Sequence, residues 1–499
     1  MLSDHHEGAP PAIPSAFNLA AHVLAGGAAS DLAFDLIGGE ARLTYADLRA
    51  AVGGATLALA SRVPPGGRVL MRLGNSLNFP LCYLAAISAD LVPVVTSAQL
   101  TAPEVADLAA QVRPALAVQD PDLPAAPDVP QVTAAEFRAF CHGPAQAPVQ
   151  GDPDRPAYIV FTSGTSGRPR GVVHAHRAIL ARQMMIRDWY GLLPRDRLLH
   201  AGAFNWTYTL GTGLMDPWSI GATALTLAPG TDFATLPDLL RAHDISIFAA
   251  APGVYRRLLR GSGRIDAPAL RHGLAAGEKL PDTLRARWRV ATGTDIHEAF
   301  GMSECSTFIS GAPDRPAAPG ALGRPQRGRR VALLGDGTAP VPRGEEGEIA
   351  VHRSDPGLML GYLDAPDDTR ARMRGDWFLT GDRGEMDADG QITYLGRADD
   401  MMNAGGFRVS PIEVETAMAR HPAITDCAAV ECRVGAETSI IALAYTGEAV
   451  PEADLAAFAE ARLARYKCPR NFTRVASLPR GANNKLLRRR VRAQLEGSS

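Results

Sequence analysis

The sequence predicts an α/β protein: a large N-terminal domain of mixed or parallel sheets with helices and a β region, then a small α+β domain at the C-terminal end. Three observations predict it. The chain has 499 residues, more than one ordinary core holds. Its first 150 residues or so alternate short apolar runs with alanine-rich helical stretches, the pattern of a mostly parallel sheet. From Ser410 a separate run of helix and strand signals fills a compact unit of roughly 100 residues, an ordinary domain size.

The elements follow in order. Tyr45 to Leu59 reads as a helix, Arg68 to Leu73 as a strand, Phe79 to Leu91 as a second helix and Val92 to Val95 as a second strand. Pro121 to Val132 is a Pro/Ala-rich connector. Tyr158 to Phe161 is a short buried strand that breaks into Thr162-Ser163-Gly164-Thr165-Ser166-Gly167-Arg168-Pro169-Arg170-Gly171. Glycines there let backbone N–H groups converge and the hydroxyls add donors, which is how a loop cradles a polyphosphate. It is not a Walker A loop, because no Gly-Lys-Ser/Thr follows at the required spacing. Arg177 to Tyr190 reads as a helix, and Ala222 to Ala228 and Ile245 to Ala251 as buried strands. Between them, His200 to Tyr208 sets aromatic residues beside glycines and polar groups, a composition suited to a small-molecule pocket wall or to core packing. Leu274 to Leu280 ends a strand in a glycine turn, and open α/β sheets bind nucleotides at strand C-ends. Pro313 to Gly328 reads as loop, while Arg330 to Leu334 and Glu348 to His352 read as strands.

The C-terminal unit opens on Ser410-Pro411-Ile412-Glu413, a capping box with proline at the first helical position, for a helix running to about Arg420. Ala428 to Val430 and Ile440 to Ala444 follow as strands. Leu455, Phe458, Ala459, Leu463 and Tyr466 form a core-facing helical stripe. Arg488 to Arg492 reads as a solvated helix face.

Bulk properties exclude several classes. A formal net charge of −2 gives no electrostatic case for nucleic acid. Six scattered cysteines without a CxxC pair read as reduced thiols of a cytoplasmic protein. No stretch offers the ~18 consecutive apolar residues of a membrane span. Met1 to Pro14 has no signal-peptide pattern, and His5-His6 reads as part of a mobile tail.

The stretch Thr162 to Gly171 resembles the phosphate-binding signature of the adenylate-forming superfamily, which includes acyl-CoA synthetases. Phe300-Gly301-Met302-Ser303-Glu304, Thr380-Gly381-Asp382 and Gly396-Arg397 match further motifs in the family's order, so the resemblance covers almost the whole chain. It implies a domain of residues 1–398 that binds AMP and a mobile lid of residues 399–499. Nucleotide contacts would come from Thr162, Ser163, Gly164, Thr165, Ser166, Gly167, Arg170, Gly277, Glu278, Lys279, Ala299, Phe300, Gly301, Ser303, Asp382, Arg397 and Lys485. Phe300 would stack on adenine, Ser303 bond the α-phosphate, and Asp382 accept both ribose hydroxyls with its two oxygens. Thr165 and Glu304 would hold Mg²⁺, a hard cation suited to carboxylate and phosphate oxygens.

Lys485, Thr165 and Glu304 are the implied catalytic residues; the Lys485 ammonium would join two anionic partners as acyl oxygen attacks the α-phosphorus. Phe204, Trp206, Gly301 and Phe308 would line the acyl pocket, Gly405, Gly406, Phe407 and Arg408 the CoA site, and Asp399 would be the hinge. Two positions depart from the family pattern: Arg170 and Asn484 stand where lysine and glycine are usual. The implied function is an ATP-dependent carboxylate–CoA ligase that makes an acyl-adenylate and then acyl-CoA, AMP and pyrophosphate from a short- or medium-chain or aromatic acid. Its cofactors and substrates are Mg²⁺, ATP and CoA; its partners are small molecules, with no nucleic acid and no membrane span, and a homodimer is compatible. The alternatives are an enzyme loading a carrier-protein phosphopantetheine, an inactive nucleotide-binding homologue, and a luciferase-like oxygenase for which no residue speaks.

Overall fold

A computed structural model describes residues 1–162, 169–260, 263–398, 400–404, 407–433, 439–463, 465–481 and 486–497, with the backbone alone at 403, 404, 407, 408, 439 and 466. A seven-stranded sheet carries the first half of the α/β alternation. At its centre Arg68–Arg72 pairs in parallel with Val92–Val95 and with Leu116–Gln119. These strands are buried on both faces, which is why they read as unbroken apolar runs. Helix Tyr45–Ala60 starts on a true capping box, in which the Thr44 hydroxyl accepts from Asp47 N–H and the Asp47 carboxylate accepts from Thr44 N–H.

Strand Pro156–Thr162 joins this sheet in parallel with Val92–Val95, then pairs antiparallel with Arg170–Ala175. The Ser/Gly stretch therefore lies between the two strands of an antiparallel pair, and Arg170–Ala175 is a strand not read from the sequence. Gly171-Val172-Val173-His174 was too short a run to separate from the loop before it. The helix itself spans Ala178–Met185 and ends in a wider turn at Ile186–Tyr190.

A fifteen-stranded sheet carries the rest. Its parallel part runs Leu32–Ile37, Thr223–Leu227, Arg197–His200, Ile247–Ala250, His272–Ala276 and Asp295–Met302 in space. Asp295–Met302 then turns back antiparallel on Ser306–Ser310, and the sheet continues antiparallel through Ala321–Pro325, Ile392–Arg397, Trp377–Met386, Glu346–His352 and Arg330–Leu334. The site lies where the parallel part gives way to the antiparallel part. Two expectations are corrected here. Ala321–Pro325 is a strand inside the stretch read as loop, its Pro325 at the end where no N–H is needed. Asp4–His6 is not a tail but an edge strand on Arg330–Ala332.

Beyond residue 400, strands Ile424–Arg433, Ser439–Gly447 and Asn471–Arg474 form a three-stranded sheet. Helices Pro411–Met418 and Glu452–Glu460 pack on one face through Val414, Met418, Leu455 and Ala459. Helix Arg488–Glu496 packs on the other through Val491 and Leu495. Both clusters draw only on residues from 402 onward, so this unit has its own core. Half of the expected capping box forms: Ser410 Oγ accepts from Glu413 N–H at 3.3 Å, but Glu413 reaches Lys467 at 2.6 Å instead of the cap. Arg488 is not solvated, since it donates to both Glu415 oxygens at 2.9 and 2.6 Å.

Candidate active site

One cavity of about 2270 Å³ runs between the large sheet and the C-terminal unit. Thr162, Arg170, Trp206, Gly277, Glu278, Lys279, Ala299, Phe300, Gly301, Ser303, Glu304, Asp382 and Arg397 all line it. Ser163, Gly164, Thr165, Ser166, Gly167, Arg168, Asp399, Gly405, Gly406, Asn484 and Lys485 lie outside the described residues, as do the side chains of Phe407 and Arg408.

Strand Asp295–Met302 supplies the centre. A register shift between Phe300 and Gly301 breaks the pleat, and a Cβ at Gly301 would strike the Ser306 carbonyl, so only glycine fits. The Phe300 ring meets Phe308 edge-on at 5.5 Å and Tyr394 at 5.5 Å, leaving its remaining surface on the cavity. His174 Nε2 donates to the Ser303 carbonyl at 2.7 Å and its ring stacks on Tyr158 at 4.8 Å. Burial pushes the His174 pKa down to about 4, so the imidazole is neutral and holds the Ser303 backbone as a fixed donor.

Glu304 is buried, and its Oε1 accepts from the Tyr362 hydroxyl at 2.7 Å. Burial and that carboxylate push the Tyr362 phenol up to about 12, so it stays a donor. The Arg170 guanidinium sits 5.3 Å from the centre of the Tyr362 ring and pairs with Asp368 at 3.2 Å. Arg170, Tyr362 and Glu304 thus form one chain along the cavity wall. A carboxylate presented this way fits Mg²⁺, which takes one or two protein oxygens and completes its shell with water and phosphate. Among the described residues no group of three His, Cys, Asp or Glu side chains forms a self-contained metal cage.

Asp382 is buried opposite, its Oδ1 accepting from Tyr394 hydroxyl at 2.9 Å and its Oδ2 lying 3.5 Å from Arg397 Nη1. Gly381 beside it has φ +77 inside strand Trp377–Met386, where the register against Glu346–His352 shifts. Gly277, at φ +96, ends strand His272–Ala276 directly under the Trp206 indole. Trp206 is braced edge-on against Tyr208 at 5.0 Å, and Tyr208 stacks on Trp189 at 5.6 Å.

Two of the expected nucleotide-contacting side chains are engaged in ion pairs at the cavity wall. Glu278 accepts from Arg256 at 2.9 Å and from Arg480 of the C-terminal unit at 3.1 Å. Arg480 also donates to Asp426 at 2.6 Å, so these ion pairs join the two units across the cavity. Burial raises the Glu278 pKa and the two arginines oppose that shift. Lys279 Nζ is 3.3 Å from the buried Glu298 carboxylate, and both residues line the cavity. Phe204 and Phe308, expected in the acyl pocket, are both fully buried, Phe204 packed on Phe79 at 5.8 Å and Phe308 edge-on against Phe300 at 5.5 Å. Aromatic runs beside glycines do not reveal which ring faces inward; Trp206 does. Sequence reasoning missed Tyr362 and Tyr394, which orient the two key carboxylates. Each lies far along the chain from its partner or across a strand pair, so no local spacing marks it.

The fold and the large cavity flanked by Glu304 and Asp382 define an enzyme of the AMP-binding class. The AMP-binding enzyme family matches residues 25–363 and the AMP-binding enzyme C-terminal domain matches residues 413–485; the chain belongs to this family. It is 31% identical to the 3-hydroxybenzoate–CoA ligase of Aromatoleum over 92% of this chain and 93% of that one. It is 32% identical to the human mitochondrial acyl-coenzyme A synthetase ACSM2A over 67% of this chain, a match spanning 60% of the human enzyme's length. The crystal structure of the anthranilate CoA ligase AuaEII with anthranoyl-AMP superposes with a TM-score of 0.88 at 25% identity, covering 97% of this chain and 98% of that one. Among the described residues no helix is long and apolar enough to cross a membrane.

Proposed function

We propose that this chain is an ATP-dependent acid–thiol ligase that activates a carboxylic acid as its acyl-adenylate and passes the acyl group to CoA, releasing AMP and pyrophosphate. One observation carries the reading: Phe300, Ser303 and Glu304 from one strand end face the same cavity as Asp382 and Arg397 from the antiparallel part of the sheet. An aromatic face, a phosphate-side backbone, a buried carboxylate and a second carboxylate with two acceptor oxygens suit adenine, α-phosphate, cation and ribose in turn. The relatives support the acceptor and the substrate class, since the named enzymes are CoA ligases for aromatic acids and an acyl-coenzyme A synthetase.

Residues 1–398 form the adenylating domain and 399–499 the lid, with Asp399 at the hinge. Glu304, together with Thr165, holds Mg²⁺, which when bound neutralises phosphate charge. Tyr362 fixes the Glu304 carboxylate, and Tyr394 with Arg397 fixes Asp382 for the ribose. Ser163, Gly164, Thr165, Ser166 and Gly167 cradle the phosphates with Thr162 and Arg170 at the loop's ends. Lys485 brings the acid to the α-phosphate. The adenylate is a reactive mixed anhydride, so one difficult acyl transfer becomes two easier ones. Gly405, Gly406, Phe407 and Arg408 guide the CoA arm. The protein acts in the cytoplasm, where its six free cysteines remain reduced.

The test is acid-dependent AMP formation with Mg·ATP and either CoA or a phosphopantetheinyl carrier protein. CoA-dependent turnover is expected. Turnover with the carrier alone would move the reading to carrier loading.

A further inference from the structure

Beside Gly301 the cavity wall carries a polar group that none of the roles above uses. Arg182 donates from Nε to Asp216 Oδ1 at 2.8 Å and from Nη2 to Oδ2 at 2.6 Å. Tyr190 hydroxyl also donates to Asp216 Oδ2, at 2.8 Å. Both partners of the ion pair are shielded, with side chains 11% and 1% exposed. Its bidentate geometry leaves the cavity a polar wall without net charge.

Ser306 connects this pair to the cavity. Its Oγ accepts from Arg182 Nη1 at 2.6 Å, so its own hydroxyl proton must point elsewhere. The partner it finds is the Met185 sulfur at 3.7 Å, a weak acceptor. Thr307 Oγ1 donates to the same sulfur at 3.2 Å. Ser306 also holds φ +65, a left-handed backbone that costs a non-glycine residue energy. Arg182, Met185, Ser306 and Thr307 all line the cavity. Two hydroxyl protons resting on one thioether in a cavity wall, one of them on a strained residue, are donors placed for a better acceptor.

We propose that Ser306, with Thr307, is a specificity-determining residue that donates a hydrogen bond to a neutral oxygen on the acid, distant from its reacting carboxylate. The preferred substrate is then a hydroxy- or keto-substituted carboxylate, lying in the part of the cavity that Trp206 lines. A dicarboxylate is disfavoured on charge: among the described residues Arg182 is already paired with Asp216, and a second carboxylate placed here would meet that buried anion. This rests on the ligase reading above.

The test is acid-dependent ATP–pyrophosphate exchange with benzoate, 3-hydroxybenzoate and isophthalate, and with hexanoate and 5-oxohexanoate as an aliphatic pair. The oxygen-bearing member of the active pair should have a kcat/KM about tenfold higher than its parent, carried mainly by KM. Isophthalate should be poorer than both aromatic acids. In Ser306→Gly, which removes the hydroxyl and relaxes the backbone, the ratio should fall to about one; Thr307→Val should lower it in part. Equal rates for parent and oxygen-bearing acids, a preference that survives Ser306→Gly, or a preference for isophthalate would overturn the inference while leaving the ligase reading intact. Exchange with none of the acids would remove the ligase reading and this inference together.

Discussion

Replacing Gly277 by alanine tests how the sheet end shapes the cavity. Gly277 sits at φ +96, and an added Cβ would lie 2.5 Å from Trp206 Cζ2 and 2.9 Å from Cη2. Ordinary carbon contacts are about 3.5–4.0 Å, so the indole must retreat by about 1 Å. It has little room, because Tyr208 braces it edge-on and is itself stacked on Trp189. The backbone strain costs about 1–3 kcal/mol and the overpacking about 1–3 kcal/mol more. Gly277→Ala should therefore lower stability by about 2–6 kcal/mol and raise the KM for the acid. A double-mutant cycle separates the two costs. In a Trp206→Ala background the same change should cost only the backbone share, giving a coupling of about 1–3 kcal/mol. Denaturant unfolding of the four proteins reads both numbers. Additive effects within about 0.5 kcal/mol would show that Gly277 and Trp206 do not meet as described and would refute the reasoning.

Tyr362→Phe removes the donor that orients Glu304, and the Mg²⁺ concentration giving half-maximal activity should rise about tenfold or more; an unchanged Mg²⁺ dependence would deny Tyr362 that role. Lys485→Ala should cut adenylate formation by about 10²–10³ or more yet leave thioester formation from supplied acyl-adenylate largely intact, and equal loss in both assays would contradict its assigned role. Burial pushes His174 and His272 down to about 4 and His176, His200 and His297 down to about 3, from an ordinary value of 6.5. Between those values the unfolded chain takes up protons that the folded chain refuses. Stability is therefore full above pH 6.5 and should fall as pH drops toward 4, by up to about 1.4 kcal/mol per pH unit for each histidine. A denaturation midpoint that stays flat between neutral pH and pH 5 would contradict it.

Much of the architecture was legible because it was written in local chemistry. Helix Tyr45–Ala60 follows from alanine content, and the parallel strands from apolar runs flanked by turns. Gly277 was visible as a turn at a strand end, and it takes the positive φ that glycine permits. What was not legible depends on contacts between distant segments. Asp4–His6 carries no strand signal of its own; it becomes a strand because Arg330–Leu334 offers it an edge. Arg488 reads as a surface charge until Glu415 is brought beside it. Lys279 stands in a cavity motif, yet Glu298, nineteen positions on, claims its ammonium. Phe204 and Trp206 are two residues apart in one run, and only packing on Phe79 decides that the first faces the core and the second the cavity.

The most direct test of the account is acid-dependent exchange of labelled pyrophosphate into ATP, measured with Mg²⁺ and without CoA across short-chain, medium-chain and aromatic acids. Exchange that requires one group of acids, and gives way to net AMP release when CoA is added, is the predicted result. ATP binding without exchange for any acid in the panel would contradict adenylate formation and leave a nucleotide-binding protein without this chemistry.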